Sequence, residues 1–161
     1  MATTKIRPAT VEDVSVILSL IRELAEYERL THAVVATEDR LRESLFGMRP
    51  AAAVLLACQE QEFAGFAVFF PNYSTFLAQP GMFLEDLYVK PHLRGQGIGF
   101  ALLAEVAKIA AARGCGRMEW EVLDWNEPSI RFYKKLGAVA LDDWTKYRLT
   151  GVALSRFSSL Q

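Results

Sequence analysis

Between Phe83 and Ala104 the chain reads F-L-E-D-L-Y-V-K-P-H-L-R-G-Q-G-I-G-F-A-L-L-A. No other stretch limits the possible folds as strongly. Phe83, Leu84, Leu87, Tyr88 and Val89 carry the bulk and branching that a pleated surface packs well, so the stretch opens as a strand. Lys90-Pro91 ends it, because proline donates nothing to a ladder and restricts the residue before it. Arg94, Gly95, Gln96, Gly97, Ile98 and Gly99 follow, and then an Ala/Leu-rich helix start. Three glycines there let the backbone turn tightly and expose several N–H groups in one concavity. The helix adds unpaired amides and the positive end of its dipole. Arg94 adds a planar fork suited to phosphate oxygens. The stretch predicts an anion site, best suited to a pyrophosphate.

Spacing narrows the ligand. A P-loop needs Gly-Lys-Ser/Thr after its first glycine and four residues, and no Lys follows these glycines. A G-x-G-x-x-G dinucleotide fingerprint fails as well. Its third glycine falls on Phe100 when counted from Gly95, and on Leu102 when counted from Gly97. A ligand-free glycine turn is the plainer reading of a lone G-x-G. Strand, Arg94 and helix in register favour the ligand.

The 161 residues are enough for one ordinary domain with a real core, and a single domain over 1–161 is expected. Hydrophobic content of 52% against 23% charged residues places the chain among globular proteins rather than disordered ones. A formal net charge of −1 gives no electrostatic footprint for nucleic acid. No run approaches the ~18 apolar residues of a membrane span, and no signal-peptide core opens the sequence. Cys58 and Cys115 lie far apart and read as small, buried, reduced thiols. A cytoplasmic protein without nucleic-acid or membrane partners is expected. His32 and His92 read as solvated loop residues without an acidic partner, and no metal-ligand spacing occurs.

The elements read in order as follows. Lys5-Ile6-Arg7 is a short strand ended at Pro8, and Thr10 with Asp13 forms a weak capping box. Val14, Ile17, Leu18, Ile21, Leu24 and Ala25 recur at helical spacing, predicting a helix to about Glu28. A second helix is expected from about Thr37 to Phe46-Gly47. Ala51–Cys58 and Phe63–Phe70 form a hairpin around Gln59-Glu60-Gln61-Glu62. Residues Pro71 to Gly81 read as a loop. The helix after the glycines should run to about Arg113, stopped by Gly114. Met118, Trp120 and Val122 alternate with Glu119 and Glu121 as a further strand. Asn126 caps a short helix carrying Pro128, Ile130, Phe132, Tyr133 and Leu136, closed by Gly137. Two last strands are expected at Ala138–Leu141 and Lys146–Leu154. The sum is a three-layer α/β domain around one mixed sheet.

Arg94-x-x-Gly97-x-Gly99 after an apolar strand resembles the acetyl-CoA signature of the GNAT superfamily of N-acetyltransferases. The resemblance extends to Ile6–Thr10, Leu24-Ala25, Tyr27-Glu28, Leu84–Asp86, Trp125–Ser129, Phe132–Lys134 and Gly137-Ala138. Together these resemble the spermidine/spermine (diamine) branch of the superfamily and its thialysine-acetylating relatives. The resemblance implies the GNAT fold: a central mixed, mostly antiparallel twisted sheet with helices on both faces. It also implies a V-shaped splay between the central strand and the one ending near Glu121. The pantetheine arm of acetyl-CoA would lie in that splay, bonded by the backbone of Leu87, Tyr88 and Val89. Arg94, Gly95, Gln96, Gly97, Ile98, Gly99 and Phe100 would hold the pyrophosphate. Asn126, Glu127, Pro128, Ser129 and Tyr133 would line the other side of the cosubstrate. A homodimer is implied too.

Acetyl transfer from a thioester to an amine needs a neutral amine, an oxyanion stabiliser and a proton for the leaving thiolate. An alkyl ammonium has a pKa near ~10.4, so it must first lose a proton. Glu85 is the candidate acceptor. Strand alternation sets it on one face with Phe83, Leu87 and Val89, where burial would raise its pKa. A solvated carboxylate at a loosened strand end is the competing reading. Tyr133 also fits an apolar helix stripe; the resemblance makes it the general acid. The backbone N–H of Val89 is the matching oxyanion donor. Tyr27, Glu28 and Asp86 match positions lining the family's amine pocket, where acidic groups attract polycationic substrates. The polyamine-specific members carry an acidic cluster after the first helix, and this chain has Arg29-Leu30-Thr31-His32-Ala33 there. Diamines, polyamines and lysine- or thialysine-like amines stay open as acceptors. So do protein lysine or N-terminal amines, and a non-catalytic CoA-binding sensory module.

Overall fold

A computed structural model of the chain describes residues 3–160. They form two compact units, one reaching to Leu123 and the other beginning at Asp124. The first unit is built on a five-stranded sheet of β1 (Thr4–Pro8), β2 (Ala53–Gln59), β3 (Glu62–Ser74), β4 (Gln79–Val89) and β5 (Met118–Trp120), in that spatial order. The first four strands pair antiparallel, and β5 joins β4 in parallel. This is the mixed, mostly antiparallel sheet that the resemblance implies.

Helix α1 (Val14–Tyr27) and helix α2 (Glu38–Phe46) cover one face. Ile17 and Leu20 of α1 meet Val54, Leu56, Phe66, Val68 and Tyr88 of the sheet, with Leu41, Leu45 and Phe46 of α2 at the margin. Leu55, Ala57, Ala67 and Phe69 point the opposite way and are equally buried, under α3 (Ile98–Ala112). Helices on both faces explain why β2 and β3 are nearly continuously apolar instead of alternating.

The turn from β1 into α1 is fixed by charge. Arg7 places Nη1 and Nη2 at 2.7 and 2.8 Å from the two Asp13 oxygens, and the Thr10 N–H donates to the same carboxylate at 2.8 Å. The expected Thr10/Asp13 box is therefore present and is bound to the first strand. Thr37 caps α2 through the Arg40 N–H, and Gly47 follows its end.

Three expectations are corrected. Cys58 and Cys115 are only partly buried. Pro71 to Gly81 is no loop, because β3 continues to Ser74 and β4 begins at Gln79, with Pro71 opposite Met82 and Pro80 opposite Tyr73. β3 has already lost β2 beyond Phe69, and β5 joins β4 only at Met82. Pro71 thus faces a side without a ladder, and Pro80 uses the β5 side only through its carbonyl, which accepts from the Gly116 N–H at 2.9 Å, so neither missing donor costs a ladder bond. The second unit contains α4 (Glu127–Lys135) and α5 (Gly151–Ser158), and residues 138–150 carry no strand. Ala138–Leu141 and Lys146–Leu154 have the composition of strands, but a strand exists only through a ladder partner. Val152-Ala153-Leu154-Ser155-Arg156 satisfies its own backbone as a helix after Thr150.

Candidate active site

The pairing of β4 changes at one residue. Asp86 lies opposite Val68 and Leu84 opposite Phe69, so Glu85 is an extra residue with no partner of its own. It is a β-bulge, and it reverses the parity of the strand. Before the bulge, Met82 turns its backbone to the β5 side, its N–H donating to the Arg117 carbonyl at 3.0 Å. After it, the Lys90 N–H donates to Ala64 of β3 at 2.9 Å. By the two-residue period of an antiparallel ladder, Leu87 and Val89 then turn theirs away from β3. The β4–β5 ladder ends at Leu84–Trp120, exactly one residue before the bulge, so nothing in β5 pairs with Glu85 to Val89. This is the expected splay. Its open edge presents the N–H groups of Leu87 and Val89, while Tyr88 spends its backbone on Phe66.

The bulge also corrects the placement of the carboxylates. Simple alternation would set Glu85 with Phe83, Leu87 and Val89. In the structure Phe83 is opposite Phe70, on the α1 face with Asp86 and Tyr88, whereas Leu87 and Val89 face α3. Glu85 is exposed at the kink, and the desolvated carboxylate is Asp86. Its pKa is pushed up to about 7 by burial, then by the charges of Glu85 and Glu28. Glu28, the residue that caps the C-terminus of α1, is raised as well, by desolvation. The fold thus brings both Glu28 and Glu85 within electrostatic reach of Asp86.

The glycine turn follows a 3₁₀ turn at Pro91–Leu93. Gly95 and Gly97 have φ of 77° and 81°, in the left-handed region, and a Cβ at either would meet nothing within 4 Å. Gly97 is the N-cap of α3. The result is an amide-lined concavity with free space outside it, which fits a pyrophosphate. Ile98, the first residue of α3, is buried, and Phe100, two residues on, is exposed. Close strand packing supports this end of the sheet, since a Cβ on Gly65 would run into the Tyr88 carbonyl.

Arg94 does more than face the turn. Its Nε donates to the Val89 carbonyl at 2.9 Å, and its guanidinium lies 4.4 Å from the centroid of the Tyr27 ring and 5.7 Å from that of Tyr88. It links the glycine loop to the end of α1, where Glu28 stands. Tyr88 extends the same chain, donating from its hydroxyl to Glu23 at 3.4 Å.

Within the second unit, Asn126 is buried and its side chain accepts from the Ser129 N–H at 3.4 Å, the expected cap, with Glu127 and Pro128 in the first turn. Tyr133 is half-buried in α4, its ring 5.3 Å from that of Phe132. Gly137, with φ of 84°, follows the helix.

His92 departs from expectation. Its Nε2 lies 3.2 Å from Glu62, a residue thirty positions away that also accepts from Lys90 at 3.1 Å. Gln59 and Glu62 were not singled out as site residues, since they read only as a hairpin turn. The pairing of β3 with β4, which sets Gly65 opposite Val89, is what carries that turn to the loop.

A mixed, mostly antiparallel sheet that parts at a bulge, with a glycine turn opening the helix that follows, defines the α/β class to which the acetyl-CoA-dependent acetyltransferases belong. The chain belongs to the acetyltransferase (GNAT) family, whose model matches residues 17–138. It is 37% identical to the L-ornithine N5-acetyltransferase of Arabidopsis thaliana, over 98% of this chain and 89% of that protein. It is 38% identical to the thialysine N-epsilon-acetyltransferase of Mus musculus, over 96% of each. Its fold matches the V. cholerae integron cassette protein VCH_CASS6 with a TM-score of 0.82 at 24% identity, over 99% of both chains. The protein is an acetyl-CoA-dependent N-acetyltransferase.

Proposed function

We propose that this enzyme acetylates the side-chain primary amine of a small cationic acceptor of the ornithine, lysine or thialysine type, with diamines as the related alternative. The observation that carries the reading is the gathering of Glu28, Glu85 and Asp86 where α1 ends against β4. Such a group attracts an ammonium, and a desolvated member of it takes up the proton that the ammonium must lose. The names of the ornithine and thialysine relatives support the same class.

In the proposed reaction the ammonium gives its proton to Glu85 or Asp86, directly or through water. The freed amine nitrogen attacks the thioester carbonyl, whose oxygen is met by the Val89 N–H. The C–S bond breaks, the departing thiolate takes the Tyr133 hydroxyl proton, and the proton shed by the acetylated nitrogen returns to the Tyr133 phenolate. Leu87 and Val89 bond the pantetheine arm, Gly95–Phe100 with Arg94 hold the pyrophosphate, and Asn126–Ser129 line its other side. Tyr27, Glu28 and Asp86 position the amine. The two units work as one acetyltransferase domain, in a cytoplasmic homodimer. Exposed Phe76 on the β3–β4 turn, and Trp144 and Tyr147 in the second unit, support self-association. No helix among the described residues is long and apolar enough to cross a membrane.

The test is thiol release from acetyl-CoA across ornithine, lysine, thialysine, 1,4-diaminobutane, spermidine, a monoamine of equal length and a lysine peptide. The amino acids should give the highest kcat/KM. A preference for the peptide, or no acceptor-dependent release at all, would replace this reading with a protein acetyltransferase or a CoA-binding sensor.

A further inference from the structure

Side chains of the β2–β3 hairpin bond the glycine turn and the residues that lead into it. Gln59, at the end of β2 and only 8% exposed, donates from Nε2 to Gln96 Oε1 at 3.2 Å. Gln96 stands between the two left-handed glycines, so it carries the one side chain by which the apex of the turn can be gripped. Glu62, the first residue of β3, receives Lys90 Nζ on one oxygen at 3.1 Å and faces His92 Nε2 with the other at 3.2 Å. Lys90 and His92 flank Pro91 at the start of the same loop. One hairpin therefore fixes both ends of residues 90–97. Lys90 is also fastened through its backbone to Ala64, and its side chain is only 23% exposed.

An amide cradle binds well only if its N–H groups already converge before the anion arrives, and ordering a floppy loop on binding subtracts from affinity. Gly95 and Gly97 loosen this loop more than other residues would. Side chains that restrain it without reaching the ligand are the remedy. We infer that Gln59 and Glu62 are positioning residues for the phosphates of acetyl-CoA, holding the Lys90–Gly97 loop in its binding shape. The inference rests on the reading of Gly95–Gly99 as the pyrophosphate cradle. Glu62 is held below the usual carboxylate range by His92 and Lys90, as a carboxylate engaged by both would be.

The experiment uses the full chain with Gln59→Met and Glu62→Gln, singly and together. Acetyl-CoA affinity is measured by calorimetry, and turnover is followed with acetyl-CoA and with acetylpantetheine, a donor lacking the phosphates. Each single variant should raise KM and Kd for acetyl-CoA by about 2- to 10-fold, the range for one lost hydrogen-bonded contact. The double variant should lose more, with kcat at saturation and kcat/KM for acetylpantetheine unchanged. Equal losses with both donors, or unchanged acetyl-CoA affinity in folded protein, overturns the inference. Should Gln59→Met not fold, Gln59→Asn keeps a polar amide there but withdraws it from Gln96 and is read in the same way. Gly97→Val separates the two levels. If it leaves acetyl-CoA affinity intact, the cradle itself is misassigned. If it abolishes binding while the hairpin variants bind normally, only the positioning role fails.

Discussion

Asp86 is the residue whose chemistry the fold alters most. Ionised Asp86 is the form that accepts a proton, and with its pKa near about 7 it gains that form as pH rises through neutrality. Wild-type kcat/KM should therefore climb between pH 6 and 8. Asp86→Asn should lose that limb, whereas Glu85→Gln should keep it if Asp86 is the acceptor; pH–rate profiles of both variants decide which carboxylate acts. Stability gives an independent check with its own sign. The folded-state pKa lies above the unfolded one near ~3.9, so folding takes up a proton and wild type loses stability as pH rises from about 4 to about 7. Asp86→Asn has no such loss, and its urea midpoint should exceed that of wild type at pH 8 by an amount that shrinks toward pH 4. Tyr133 makes a simpler prediction. Tyr133→Phe keeps the ring that packs beside Phe132 and removes only the hydroxyl. Turnover should fall by roughly 10²–10⁴ with acetyl-CoA affinity little changed, the range for a lost general acid. Near-normal turnover with chemistry rate-limiting would return Tyr133 to the role of a packing residue.

At the scale of elements, the Arg7–Asp13 pair joins the first strand to the first helix, and Arg7 holds the Asp13 carboxyl down at about 2. Its contribution is present above the unfolded pKa near ~3.9 and is lost as pH falls through the folded value. Asp13→Asn should cost about 2 kcal/mol at pH 7, and the gap to wild type in denaturant midpoint should close between pH 4 and pH 2. The elements legible in the sequence were those with their own punctuation. α1 had its apolar period and capping box, α3 its glycines at both ends, and α4 its Asn126 cap and Pro128. The bulge at Glu85 was not legible, because one extra residue in a ladder leaves no trace in composition. It appears only when Val68 and Phe69 are set against Asp86 and Leu84. The C-terminal strands failed for the opposite reason. Val139, Leu141, Tyr147 and Leu149 look like strand residues but are exposed and have no ladder partner. The glycine cradle was read from a local motif. The acidic group was read only in part, since Glu28 and Asp86 are 58 positions apart and meet through the packing of α1 on the sheet.

For the molecule as a whole, the splay has a consequence for its handling. From Glu85 to Val89 the centre of the sheet has a side that no described strand pairs with. An unpaired strand edge is where one chain adds to the next, and proteins ordinarily cover, charge or shorten such edges. Glu85 supplies the charge at one end, and Arg94, fastened to the Val89 carbonyl, blocks the other. Between them the amides of Leu87 and Val89 should exchange with deuterium quickly in the free enzyme and slowly once acetyl-CoA is bound. If that edge is shielded only by its cosubstrate, enzyme stripped of acetyl-CoA should scatter more light on gentle heating than enzyme saturated with it. The reactant would then also be the sheet's missing strand, and purification without it would select for loss by aggregation.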